Sequence, residues 1–268
     1  MDIWQPARLE PEKSYRWAVG PLLLWLRSVG DELHLATQRG DELEHPGRTL
    51  VLEPADDAPE ALDWTRWVTQ VEAPGAEVQV LPIMPDRPAV ARPESPVRLP
   101  VGSAALFFLS IPVFARLISL DPVLAGETGI TLTEAPSVVL SNIWFGEPTG
   151  GELCYSLKTT ARRRVEDTVT RPHRAVCPVF VRNQAHEELS IQRLRVDLTH
   201  LAVFDVGSRL WTNRVNVTYR GERDGSEINI VPGAPEQAQG HAVIVGQPRQ
   251  IVRQRAWTRV FTTVSSMF

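Results

Sequence analysis

Lysine and cysteine are almost missing from this 268-residue chain. Lys13 and Lys158 are the only lysines, so the basic side chains are otherwise all arginine. Arginine suits planar pairing with carboxylates and phosphates, and a GC-rich genome alone produces the same bias. Cys154 and Cys177 are too few for a disulfide framework and too far apart for a zinc or redox pair. There is no glycine-rich phosphate loop, no Gly-x-Ser-x-Gly elbow and no His-Glu-x-x-His string. His34, His45, His173, His186, His200 and His241 are dispersed, with no ligand pair at i, i+2 or i, i+4. The expectation is no catalytic residue, no cofactor and no metal. A net charge of −4 excludes a general nucleic-acid binder. The opening Met1-Asp2-Ile3-Trp4-Gln5-Pro6 has no basic stretch leading into an apolar one, so a cytoplasmic protein is expected.

What the chain does have is punctuation: 22 Pro and 17 Gly scattered along its length. Apolar runs of strand length lie between them, at intervals of about ten residues, the rhythm of a β-sandwich or barrel. Leu22–Leu26 is bounded by Gly20-Pro21 and Gly30-Asp31. Leu33 and Leu35 then alternate with His34 and Ala36, and residues 49–52 form a further short strand. Val101–Leu120 contains a single charge, Arg116, and is long enough to span a bilayer. Gly102, Ser103, Ser110 and Pro112 instead favour a buried strand broken near Pro112. Asp57 and Glu60 have capping-box spacing ahead of Leu62, Trp64, Trp67, Val68 and Val71, which predicts a helix.

Residues 77–99 are extended and proline-rich, predicting an edge strand or crossing segment that clasps two halves. Further on, Leu153, Tyr155 and Leu157 share one face, with Glu152, Ser156 and Lys158 opposite. Residues 175–181 and 189–198, joined by a polar turn at 184–188, read as a hairpin. Asp224-Gly225 between alternating runs is the strongest hairpin signal. Ala256, Trp257, Val260, Phe261, Val264 and Met267 recur at helical intervals and predict a C-terminal amphipathic helix.

The expected fold is therefore mainly β: two β-sandwich or barrel-like halves and a C-terminal amphipathic helix. Residues 1–140 form an acidic N-terminal β domain including the proline-rich clasp, 141–248 a basic C-terminal β-sandwich domain, and 249–268 the helix. Charge follows the halves. Residues 1–150 carry 11 basic and 21 acidic side chains, and residues 151–268 carry 17 and 11. Opposite signs in one chain attract a neighbouring copy or an acidic partner.

Several strings in fixed order resemble the domain of unknown function 432 family of uncharacterised prokaryotic proteins. They are Pro85-Asp86-Arg87-Pro88 with Arg92-Pro93-Glu94, Ser141-Asn142-Ile143-Trp144-Phe145-Gly146, Gly151-Glu152-Leu153-Cys154-Tyr155, Thr160-Ala161-Arg162, Arg171-Pro172-His173-Arg174, and Leu210-Trp211-Thr212. The resemblance implies a soluble β-rich protein, supplies no established activity or catalytic residue, and carries a loose association with small mechanosensitive channels.

Two polar constellations stand out. Trp144 and Phe145 beside Glu147, Gly150, Gly151 and Glu152 have the make-up of a protein-binding loop or carbohydrate cleft. Glu147 and Glu152 are an acid–base pair in the hydrolase version. Arg162, Arg163 and Arg164, continuing to Arg171, His173 and Arg174, are the clearest basic cluster. They suit a patch for phosphate or an acidic partner, or a charged strand edge that discourages sheet-to-sheet association. The leading expectation is a non-catalytic interaction or assembly module, binding a protein partner or its own copies. A hydrolytic enzyme using Glu147 and Glu152 is the alternative, and a peripheral membrane or channel-associated protein, held through residues 249–268, is the second. Cys177 near His173 is not a thiol nucleophile pair, because strand residues four apart lie roughly 13 Å apart.

Overall fold

The computed structural model of the chain describes residues 3–11, 13–41, 47–54, 59, 61–68, 77–120, 130–207, 209–221, 225–251 and 256–258. The protein is mainly β. In chain order the strands are Ala7–Arg8 (β1), Lys13–Val19 (β2), Leu22–Val29 (β3), Glu32–Arg39 (β4), Arg48–Pro54 (β5), Thr65–Val68 (β6), Glu77–Ile83 (β7) and Ala89–Ala91 (β8). Val97–Leu99 (β9), Ala104–Pro112 (β10), Phe114–Ser119 (β11), Ile130–Pro136 (β12), Ser141–Phe145 (β13), Glu152–Ser156 (β14), Arg174–Asn183 (β15) and Leu189–Ile191 (β16) follow. The last are Leu194–Val196 (β17), Val203–Val206 (β18), Arg209–Thr212 (β19), Val215–Tyr219 (β20), Ser226–Ile230 (β21), Val243–Gly246 (β22) and Ala256–Thr258 (β23).

The chain forms two compact units, each assembled from separated stretches. The first comprises Met1–Ile83, Val113–Val139 and Arg171–His173, and the second Met84–Pro112, Leu140–Thr170 and Arg174–Phe268. In the first unit a five-stranded sheet runs β5-β2-β3-β4-β6 and a four-stranded sheet runs β1-β7-β11-β12. Side-chain alternation puts Tyr15 and Trp17 on one face with Leu22, Leu24, Leu26, Leu33 and Leu35, all buried. Tyr15 stacks on Trp17 at 5.7 Å, and its hydroxyl donates to the Arg8 carbonyl at 2.7 Å. The last pair between β2 and β3 is Val19 with Leu22, so Gly20-Pro21 closes a two-residue loop. Gly20 has φ 60°, the left-handed region that this loop class demands.

In the second unit the sheet runs β22-β18-β19-β15-β20-β21-β23, with β10 also paired to β15. Strand β15 is its axis. β10 runs antiparallel along one edge of β15 from Arg174 to Arg182. Along the other edge β19 meets Ala175 and Val176, then β20 meets Val179 to Asn183, both parallel. Pro178 falls in the gap between them. Opposite it, Phe108 exchanges both backbone hydrogen bonds with Arg162 on the far side of β10. Pro178 therefore sits at a non-hydrogen-bonded position facing β10, and its missing N–H points into the gap between β19 and β20.

A second sheet of this unit runs β13-β14-β8-β17, and β9 pairs with β16. The Asp-Gly signal is a hairpin: Tyr219 pairs with Ser226, and Gly225 has φ 68°.

Three expectations are corrected. The C-terminal helix is not supported: Ala256–Thr258 is a strand on β21, and the rest of 249–268 beyond Ile251 lies outside the described residues. An open strand edge offers a ladder that outweighs a short helical spacing of apolar side chains. The helix from Asp57 fails in the same way, because Thr65–Val68 pairs with β4; Asp57, Glu60 and Val71 lie outside the described residues. The stretches 175–181 and 189–198 do not pair with each other: β15 takes β10, β19 and β20 as neighbours, and β16 takes β9.

The proline-rich stretch is a crossing segment, belonging to the first unit up to Ile83 and to the second from Met84; β8 lies between β14 and β17, while β9 has β16 as its one partner among the described residues. It tolerates Pro82 because β1 covers only Glu77 and Val78, leaving that side unpaired beyond them among the described residues. Val101–Leu120 follows the expectation of a buried stretch broken near Pro112: it holds two strands with the break at Val113, and no helix among the described residues is long and apolar enough to cross a membrane.

Gly20 and Gly30 give a matched test of what the first hairpin contains. A Cβ on Gly20 would overlap the His173 ring, whereas a Cβ on Gly30, at φ 61°, meets open space. Gly20→Ala should lower the unfolding free energy by roughly 3 kcal/mol, from backbone strain plus overlap. Gly30→Ala should cost about 1 kcal/mol, from strain alone. Urea midpoints of the two variants read the difference; equal losses would remove His173 from the account.

Candidate functional site

The site is built on the β13–β14 hairpin of the second unit. Trp144 pairs with Leu153, and Phe145 with Glu152, on either side of a tight connection. Two glycines make that connection possible. Gly146 has φ 106°, and a Cβ on Gly151 would press on the Trp144 indole nitrogen and on the Phe145 and Glu147 carbonyls. The indole N–H donates to the Glu147 carbonyl at 3.0 Å, which fixes the ring beside the turn.

The two faces of this hairpin have separate tasks. The inward face carries Ile143, Phe145 and Cys154, packed with Val90 of β8. Glu152 belongs to the same face and meets Arg195 of β17, whose side chain is only 6% exposed. Nη2 donates to Oε2 at 2.8 Å, and Nε lies 2.5 Å from Oε1 as an ion-pair contact. A carboxylate held by both oxygens is committed to structure. Glu147 is exposed on the turn.

The outward face carries Asn142, Trp144, Leu153 and Tyr155. Trp144 is 49% and Leu153 43% exposed, side by side. Leu153 and Tyr155 share a face opposite Glu152, as the alternation predicts, and that face is the exposed one. Alternation defines two faces without saying which of them is covered, and here Cys154 is the covered one.

Two separated sequence strings meet on the outward face. The Tyr155 hydroxyl donates to Asp86 at 2.7 Å, and the Arg87 guanidinium lies 5.6 Å from the Tyr155 ring centre. Arg87 also reaches the Asn142 side-chain oxygen at 3.5 Å. Burial, then the hydrogen bond to Asp86, pushes the Tyr155 phenol up to about 12. Asp86 and Arg87, 3.9 Å apart, thus form an ion pair that also anchors an aromatic ring. Sequence reasoning missed Leu153, Tyr155 and Arg87 as one surface, and Arg195 as the partner of Glu152. The pairing of β14 with both β13 and β8 that joins them has no local signature.

The basic cluster does not form one patch. Arg162 pairs with Glu94 at 2.6 Å and Arg164 with Glu166 at 3.5 Å. Arg163 donates to the Leu106 carbonyl at 2.5 Å and lies 4.8 Å from the Phe107 ring centre. Arg174 is buried and donates to the Ser110 carbonyl at 3.0 Å. His173 is fully buried and Arg171 half-buried. Among the described residues no three His, Cys, Asp or Glu side chains gather as a metal site.

Both cysteines are buried and free. Burial pushes the Cys177 thiol up to about 12; burial and the neighbouring Glu152 push Cys154 up to about 11. Both values are raised, so the fold favours the neutral thiols. Their contribution is complete below pH about 9 and is lost as pH climbs toward 11 to 12. Dithionitrobenzoate at pH 8 should find no reactive thiol in the native protein and two after guanidinium. A thiol reacting in the native state would contradict this burial.

Removing the Glu152 carboxylate leaves a buried guanidinium uncompensated. Glu152→Gln should cost roughly 2 kcal/mol by urea unfolding, less than a fully buried pair because Glu152 itself is 41% exposed. No loss would mean that water already screens Arg195.

Searches among curated proteins and among solved structures return no match. A family model described as "Protein of unknown function (DUF432)" matches residues 3–266, nearly the whole chain and well beyond the strings that carry the resemblance. The chain belongs to the DUF432 family.

Proposed function

We propose that the protein is a non-catalytic assembly module that joins its own copies by strand addition at β13. The observation that carries this reading is an open strand edge flanked by contact-type side chains. Among the described residues β14 alone pairs with β13. Exposed edges are ordinarily blunted by Lys, Pro, bulges or a cover. Ser141–Phe145 has no charge, no proline and no bulge in its pairing. The neighbouring outward face offers Trp144, Tyr155 and Arg87, the residue types enriched at binding hot spots.

A second copy fits because antiparallel pairing of β13 with itself is two-fold symmetric, the commonest form of assembly. It would extend two four-stranded sheets into one while bringing both Trp144 side chains toward the seam. Hydrolysis by Glu147 and Glu152 has weaker support, since Arg195 already holds both Glu152 oxygens. Binding through the Arg162–Arg174 segment has weaker support too, given its internal pairings.

Sedimentation equilibrium tests the reading. The wild type should sediment as a dimer of 29.9 kDa chains, and Asn142→Lys or Trp144→Lys should weaken the dimer about tenfold or more with unchanged circular dichroism. A wild type that stays monomeric up to about 100 µM, or a dimer indifferent to both lysines, would defeat it.

A further inference from the structure

The second unit contains a cavity of about 1200 Å³, larger than the roughly 300–1,000 Å³ of pockets that hold drug-sized molecules. It is separate in residues from the outward face of β13 and β14, so what it holds is independent of assembly at β13. Two strand pairs supply its apolar walls. On β18 and β22, Phe204 stands opposite Ile244; on β20 and β21, Val215 stands opposite Ile230 and Val217 opposite Ile228. The apolar lining continues to the opening, where Ile244 is 47% and Ile251 81% exposed. Exposed isoleucines that run into an apolar cavity are a feature of ligand grooves.

The polar groups of the lining are already engaged with the protein itself. Asn213 spends its side chain on the Ala202 N–H and on the Val231 and Gly233 carbonyls. Asp197 accepts from the Thr199 N–H and hydroxyl. His200 Nδ1 donates to the Gln250 carbonyl at 3.0 Å, and Arg195 is turned to Glu152. Asn229 and Gln247 are exposed and contribute neutral amides.

These engagements select the occupant. A peptide strand carries a donor and an acceptor on nearly every residue, and between these walls they would lose water without gaining partners. An anion fares worse: Glu152 offsets Arg195, so the charge left over at the lining is that of Asp197. A cation finds Asp197 already held by two donors. A hydrocarbon chain gives up no hydrogen bond on entry and removes apolar surface from water on both sides of the contact.

We infer that this cavity binds an uncharged long-chain aliphatic molecule, its chain lying against Phe204 and Ile244 on one side and Val215, Val217, Ile228 and Ile230 on the other. Displacement of the uncharged fluorophore N-phenyl-1-naphthylamine from the full-length chain tests this. The fluorophore should bind saturably, one per chain, with blue-shifted emission. Hexanol, octanol and decanol should displace it with affinities that rise about threefold to fourfold per added methylene, the step for burying one such group. Decanoate at pH 8 and decylammonium should each bind at least about threefold more weakly than decanol.

Ile230→Trp fills the cavity from a half-buried strand position and should weaken decanol about tenfold. Ile244→Asp places a carboxylate at the opening, on an exposed side chain whose change leaves the core intact, and should weaken decanol about fivefold. Circular dichroism and melting confirm folding, and Ile244→Asp keeps the test decisive if Ile230→Trp does not fold. Absence of saturable binding, affinities that do not climb with chain length, or a charged homologue binding as tightly as decanol would overturn the proposal. So would decanol binding indifferent to either folded variant. A fluorophore that stays free while Ile244→Asp shifts the sedimenting mass would also overturn it, since a second copy would then cover the cavity.

Discussion

The antiparallel ladder between β10 and β15 is the constraint on which the second unit depends. Nine register pairs run from Ala104–Arg182 to Pro112–Arg174, and the apolar side chains of both strands are buried except at Ala104, Leu106 and Phe180. Burial of both faces turns an ordinary pair of strands into an axis, because each truncated core side chain there forfeits about 2–5 kcal/mol. Polar groups pin the two ends. Arg174 reaches back to the Ser110 carbonyl. At the other end Asn183 donates to the Leu99 and Glu187 carbonyls and accepts from the Ala185 N–H. With β15 fixed, β19 and β20 can be seated along its free edge on either side of Pro178, and β20 in turn sets the position of β21. The apolar wall made by β20 and β21 is therefore a consequence of where β15 lies.

The Glu152–Arg195 pair divides the smaller sheet into an inside and an outside. It spans β14 and β17 on the face that carries Cys154 and Phe145, so the charge is compensated where water is scarce. An ion pair of this kind adds little net stability compared with apolar groups of the same volume, yet breaking it is expensive. That asymmetry makes it a device for registration: a slip of β14 by one residue would turn Glu152 outward and strand the guanidinium. The same lock fixes Leu153 and Tyr155 on the outside, where Asp86 and Arg87 hold the tyrosine ring.

Strand content was legible wherever alternation or a continuous apolar run met a glycine turn. Leu22–Leu26, Leu33–Leu35, the paired runs around Gly225 and the break near Pro112 all follow from local chemistry. Misreadings share one cause. Residues 65–68 and 256–258 carry apolar spacings compatible with a helix, and each became a strand because a neighbouring strand offered an unpaired edge. The 175–198 hairpin failed because β15 draws its partners from residues more than 25 positions away along the chain. Of the candidate site, Trp144 and Glu152 were visible as residues of interest. Their division between opposite faces was not, since a period of two says nothing about which face is covered. Arg195 carried no sequence mark at all; its significance arises only once β17 and β14 flank β8.

The outward face also bears on how a partner would be recognised. The sequence halves differ by sixteen charges, which suggests association driven by opposite signs. The local chemistry argues otherwise. Asp86 offsets Arg87, β13 is uncharged, Arg162 and Arg164 are matched by Glu94 and Glu166, and Arg163 and Arg174 are turned to backbone carbonyls. Exposed charges elsewhere are screened within about 8 Å at physiological ionic strength, so they affect encounter rates more than the strength of a seated contact. A contact made by strand edge and aromatic ring draws on hydrogen bonds and apolar area, neither of which salt removes. Net polarity of the halves and specific recognition at β13 are thus different physical quantities, and the second can operate without the first.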